Sequence, residues 1–93
     1  MMPAGNPRPP WGLHIHTGVK KRLARLQPRE CQRILATLQN LADDPFAQDL
    51  KPLRGEPLWR LRVGGWRVLV EFDAAERIIY VLDFGSRGGI YKK

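Results

Sequence analysis

The sequence predicts an α+β domain: a small, mainly antiparallel sheet of about four strands packed against an N-terminal helical hairpin, in the order β-α-α-β-β-β. Three observations predict it. Leu58 to Phe72 reads as two alternating runs that meet at Gly64-Gly65, and a glycine pair between such runs signals a two-residue hairpin with positive φ at its centre. Upstream, apolar residues recur at helical spacing in two segments parted by Gln27-Pro28. Downstream, Arg77 to Phe84 is almost continuously apolar, as suits a strand in the middle of a sheet with both faces covered.

With 93 residues and 43% hydrophobic content, the chain suits one domain with a modest core. The formal net charge is +7, and the excess is spread evenly, with 7 basic and 4 acidic residues up to Leu50 and 9 and 5 after it. Such a balance fits a polyanion or an acidic protein partner, and it is not a basic tail. Cys31 is the one cysteine, which excludes an internal disulfide framework, offers no metal-ligand spacing and fits a reducing cytoplasm. No apolar run reaches the length of a membrane span, and no signal-peptide core opens the sequence. A cytoplasmic protein without membrane contact is expected.

Met1 to Pro10 holds four prolines among small and polar residues, so residues 1–10 are expected to form a disordered tail and residues 11–93 a single domain. Pro7-Arg8-Pro9-Pro10 matches a P-x-x-P pattern that is common in tails. Trp11 to His16 alternates, with Trp11, Leu13 and Ile15 on one face and His14 and His16 on the other. The two histidines lack a third ligand at supporting spacing and read as solvated surface residues.

Thr17 suits the N-cap of a helix over Gly18 to Leu26, with Val19, Leu23 and Leu26 on one stripe. Pro28 suits the first position of a second helix, where its missing N–H costs nothing. That helix carries Cys31, Ile34, Leu35, Leu38, Leu41 and Ala42 on its apolar stripe, and Pro45 limits it near Asp43-Asp44. Cys31 reads as a small core residue. Phe46 to Pro57, bracketed and interrupted by prolines, reads as a connecting loop that brings Lys51 and Arg54 up to the hairpin.

A two-residue turn sets the hairpin register: Val63 opposite Trp66, Arg62 opposite Arg67, Leu61 opposite Val68, Arg60 opposite Leu69, Trp59 opposite Val70. Alternation then gathers Trp59, Leu61, Val63, Trp66, Val68, Val70 and Phe72 on one face and Arg60, Arg62 and Arg67 on the other. Like charges directly opposite on a ladder are unfavourable, and an anionic ligand would relieve them. Guanidinium forks suit phosphate oxygens or charge developing at phosphorus. The plain alternative is a solvated strand face with its side chains splayed into water.

The order of elements, together with L-K-P-L-R-G, L-W-R-L-R-V-G-G-W-R-V-L-V-E-F-D and V-L-D-F-G-S-R-G-G-I-Y-K, resembles the RelE toxins of the RelE/ParE superfamily of bacterial toxin-antitoxin systems. The likeness runs from about Trp11 to Lys92. It implies a RelE-like fold and a toxin that inhibits translation as a ribosome-dependent mRNA endoribonuclease, an mRNA interferase. The implied partners are a cognate antitoxin, the ribosome and mRNA, with no cofactor and no metal. The implied chemistry is attack of the ribose 2′-hydroxyl on the adjacent phosphate, giving a cyclic phosphate and a free 5′-hydroxyl.

By position, the resemblance assigns Arg67, Arg87 and Tyr91 to catalysis: Arg67 at the scissile phosphate, Arg87 assisting the phosphate charge or leaving group, and Tyr91 stacking on a base. Arg60 and Arg62 would grip the RNA backbone, with Lys51, Arg54, Lys92 and Lys93 extending the basic surface. Ser86 stands where many relatives carry histidine. An arginine stays protonated and is a poor proton shuttle, so Tyr91, Glu56 or ribosomal groups are left as proton carriers. Two alternatives come with the resemblance: a ParE-like inhibitor of DNA gyrase, and a degenerate member that binds only antitoxin and operator.

Overall fold

The structure, a computed structural model, describes residues 10–86. Its elements are β1 (Gly12–Ile15), α1 (Thr17–Leu23), α2 (Pro28–Asp43), a 3-10 turn (Pro45–Ala47), β2 (Leu50–Pro52), β3 (Trp59–Val63), β4 (Trp66–Asp73) and β5 (Ile78–Ser86). The strands form one sheet in the order β1-β5-β4-β3-β2, with β1 parallel to β5 and the other pairs antiparallel. This is the expected α+β arrangement with a fifth strand added.

Both helices cover the same side of the sheet. Val19 and Leu23 of α1 and Ile34, Leu38, Leu41 and Ala42 of α2 are buried with Leu61, Val63, Val68, Val70, Ile79, Val81 and Phe84. Pro28 opens α2 as expected, at a position whose N–H has no intrahelical acceptor. The apolar stripe is narrower than the spacing suggested: Leu35 lies at its edge, 40% exposed, while Cys31 is half-buried against the core.

Three local expectations are corrected. The cap of α1 is His16, whose Nδ1 accepts a hydrogen bond from the Gly18 N–H at 3.1 Å, and Thr17 is already helical. An imidazole nitrogen does here what a hydroxyl was expected to do. The helix also stops at Leu23, although Leu26 still packs on the core through a tightened last turn with the Arg25 and Leu26 N–H groups on the Arg22 and Leu23 carbonyls.

The Phe46 to Pro57 loop is likewise not all loop. Leu50–Pro52 pairs with β3 as the sheet's edge strand, which is where a proline is tolerated because no neighbour needs its N–H. Leu50 gives it an apolar anchor on the core, and the Arg62 N–H reaches the Asp49 carbonyl at 3.1 Å to extend the contact.

The third correction concerns β5. It is central, between β1 and β4, but the helices cover only one of its faces. Its apolar run is continuous because of a bulge. Val81 pairs with Val70 and Asp83 with Leu69, so Leu82 is an extra residue in the ladder. With strict alternation Val81 and Asp83 would share the inner face. The inserted residue instead brings Val81 and Phe84 inward and keeps Asp83 out, leaving Leu82 exposed.

A candidate nucleic-acid interface on the open sheet face

The turn at Gly64-Gly65 aims the site. Gly64 has φ +60 and Gly65 does not have positive φ, the pattern of a type II′ turn, and the register from Trp59–Val70 to Val63–Trp66 is the one expected. Two contacts from α2 hold this tip down. The Trp66 indole N–H donates to Glu30 Oε1 at 2.8 Å, and the Arg33 guanidinium lies so close over Gly64 that a Cβ there would stand 2.9 Å from its carbon. Trp66 also packs its ring on Phe84, centroids 5.6 Å apart. The first turns of α2 therefore fix the hairpin that carries Arg62 and Arg67.

On the uncovered side, Arg62, Arg67 and Gly85 form one row across β3, β4 and β5. The next row is Lys51, Arg60, Leu69 and Asp83 across β2 to β5. Lys51 thus joins the arginines by way of the unexpected edge strand, directly opposite Arg60. Arg60 and Arg67 are half-buried and Arg62 is exposed.

Two carboxylates on or beside this face are partly committed. Asp83 takes the Arg22 guanidinium in an ion pair, and Arg22 also donates to the Phe84 carbonyl and stacks over the Phe84 ring at 4.5 Å. Asp49 Oδ2 lies 3.7 Å from Arg62 Nε. Among the described residues, Arg60 and Arg67 have no ion pair. A cluster of guanidinium groups with incomplete internal neutralisation can bind phosphate oxygens and can stabilise negative charge that develops during transfer at phosphorus.

Arg54 lies outside the paired strand rows. It sits in the exposed loop that returns from β2 to β3, closed by the Leu53 N–H on the Leu58 carbonyl at 2.9 Å, with Glu56 in the same loop. Arg87, Tyr91, Lys92 and Lys93 lie outside the described residues, as does the tail apart from Pro10. Among the described residues, no three His, Cys, Asp or Glu side chains are grouped as a metal site, and no helix is long and apolar enough to cross a membrane.

Sequence reasoning missed the supports around the arginines: Glu30, Arg33, Asp49 and the Arg22–Asp83 pair. Only Glu30 and Arg33 left a trace, one helical turn apart near the start of α2. The others depend on contacts between distant segments.

A family model described as the ParE toxin of the type II toxin-antitoxin system, parDE, matches residues 14–91. The chain belongs to this toxin family. Within the RelE/ParE superfamily it is RelE-like, as the resemblance implied. The toxin is 29% identical over 86 residues to the RelE1 protein of Methanocaldococcus jannaschii, a match covering 88% of this chain and 96% of that one. Among solved structures it is similar to the RelBE2 toxin-antitoxin complex of Mycobacterium tuberculosis, with a TM-score of 0.74, 25% identity and coverage of 84% of this chain and 99% of the other. The archaeal RelE-RelB complex of Pyrococcus horikoshii also gives a TM-score of 0.74, at 27% identity, covering 84% of this chain and 96% of that one.

Proposed function

We propose that this toxin is a ribosome-dependent mRNA endoribonuclease. The observation that carries the reading is the set of Lys51, Arg60, Arg62 and Arg67 on one rigid, uncovered sheet face. Arg67 is the residue best placed to hold the scissile phosphate, since it lies between Arg62 and Gly85 on an inner strand and its own strand is pinned by α2 through Trp66. Arg60, Arg62 and Lys51 grip the neighbouring backbone. Their task is to hold the ribose 2′-hydroxyl in line with the phosphate and to offset the charge that builds on its oxygens, which accelerates transfer without a protein nucleophile. Arg87 and Tyr91 complete the set by sequence position. Cleavage then leaves a cyclic phosphate and a 5′-hydroxyl.

The partner that silences the toxin is a cognate antitoxin in the cytoplasm. Relatives in solved complexes support this, since they are bound to their antitoxins. An exposed apolar groove of about 460 Å³ supports it too, with Trp11, Leu50, Trp59 and Phe72 in its wall and Phe46, 94% exposed, at its rim. Such a surface on so small a protein is suited to being covered.

The matching family description bears the ParE name, which favours a second reading, inhibition of DNA gyrase. One experiment separates the two. Induction of the toxin followed by mapping of mRNA 5′ ends is expected to show new ends within translated messages. Intact messages with an induced DNA-damage response would replace the first reading with the second.

A further inference from the structure

Below the arginine rows, the same open face changes character. Arg67 and Glu71 stand four positions apart on β4, about 13 Å at 3.3 Å per residue. The surface between passes Leu69 and the exposed Leu82 of the bulge, which are apolar. It ends in a third row, Glu71, Tyr80 and His14, side by side on β4, β5 and β1. The His14 and Tyr80 rings meet edge to face, centroids 5.5 Å apart and planes at 64°. Tyr80 and Glu71 are half-buried and His14 is exposed, and among the described residues Glu71 has no ion pair.

This order of chemistry is that of a single-strand track: cations for the backbone, then an apolar step, then rings for a base. Resting on the RNA reading above, we propose that Glu71, Tyr80 and His14 form a base-reading subsite that prefers guanine. A base stacks on the face of the Tyr80 ring, a contact that any base can make, with the inclined His14 ring against its edge. Discrimination comes from Glu71. Its carboxylate only accepts hydrogen bonds, and guanine alone offers it two adjacent donors, N1–H and the N2 amino group, for a bidentate contact. Adenine and cytosine set a ring-nitrogen acceptor beside their amino group, and uracil sets carbonyls on both sides of its N–H, so each meets the carboxylate with repulsion as well as attraction.

The test uses the full chain and two 2′-O-methyl RNA octamers that cannot be cleaved by 2′-hydroxyl attack, one all uridine and one with a single central guanosine. Binding is read by fluorescence anisotropy at low salt. The guanosine octamer is expected to bind about tenfold tighter, within the range for one bidentate base contact. Glu71→Gln should bring the ratio of the two affinities close to one. Tyr80→Ala should weaken both octamers by about tenfold, as expected for loss of one stacked base. Tyr80→Phe should restore that binding, which a role for the phenol hydroxyl in folding would not allow. Thermal melting of each variant reports whether the sheet is intact. Arg67→Ala should weaken both octamers while keeping their ratio, so it reports on the backbone contacts alone. Equal affinity of the wild type for both octamers, or a Glu71→Gln variant that keeps the preference, overturns the subsite while leaving the RNA reading standing. Failure of the wild type to bind either octamer also overturns the subsite, whereas the ribosome-dependent reading stands or falls on the mapping of mRNA 5′ ends.

Discussion

Gly64 carries two constraints at once. Its φ of +60 is a conformation that side chains resist, and the Arg33 guanidinium occupies the space a Cβ would need. Gly65 has neither constraint, since nothing lies within 4 Å of its Cβ position. Gly64→Ala is therefore expected to cost about 1–2 kcal/mol, and Gly65→Ala well under 1, in urea unfolding followed by circular dichroism. The glycine pair is legible in the sequence as a turn, but which glycine matters is not, because Arg33 comes from a helix far away in the chain. Arg67 stands differently. It contributes to no ion pair among the described residues, so Arg67→Ala should leave melting nearly unchanged. The same change is expected to lower the cleavage rate on programmed ribosomes by about 100-fold or more, the scale for losing one group aimed at transition-state charge. Capture of the variant by the antitoxin should persist; joint loss of capture and cleavage would mark Arg67 as structural.

Among the elements, those set by local rules were the ones the sequence disclosed. The β3–β4 register follows from a two-residue turn, and α2 follows from its apolar spacing and Pro28. The edge strand β2 did not show itself, since three residues ending in proline have no periodicity and exist as a strand only through pairing with β3. The bulge in β5 was equally silent, because a run of apolar residues hides the change of face between Val81 and Phe84. Its geometry makes a specific prediction. Deleting Leu82 leaves every other pair of the β4–β5 ladder in place, so the deletion variant should unfold cooperatively with a loss below about 2 kcal/mol. By contrast, Leu38→Ala, at a fully buried position of α2, should cost about 2–5 kcal/mol in the same denaturation experiment.

At the scale of the whole molecule, the net charge of +7 told of a polyanion or an acidic partner but not where it would bind. The fold supplies the place, by covering one side of the sheet with helices and leaving four cations on the other. If those four engage phosphates of single-stranded RNA, the logarithm of affinity should fall with the logarithm of potassium chloride concentration with a slope near −3, at about 0.7 per neutralised phosphate. Arg67→Gln should reduce the slope by about 0.7. A slope near zero would show that the face is merely solvated.

The parallel pairing of β1 with β5 has one more implication, for the order of assembly. β5, an inner strand between β1 and β4, comes after the other four in the sequence, so a growing polypeptide can close the β2–β3–β4 meander early but has nowhere to dock β1 until β5 emerges. During synthesis the arginine-bearing hairpin and the α2 turns that pin it are thus made before β5, and the sheet is complete only when β5 slides in between β1 and β4.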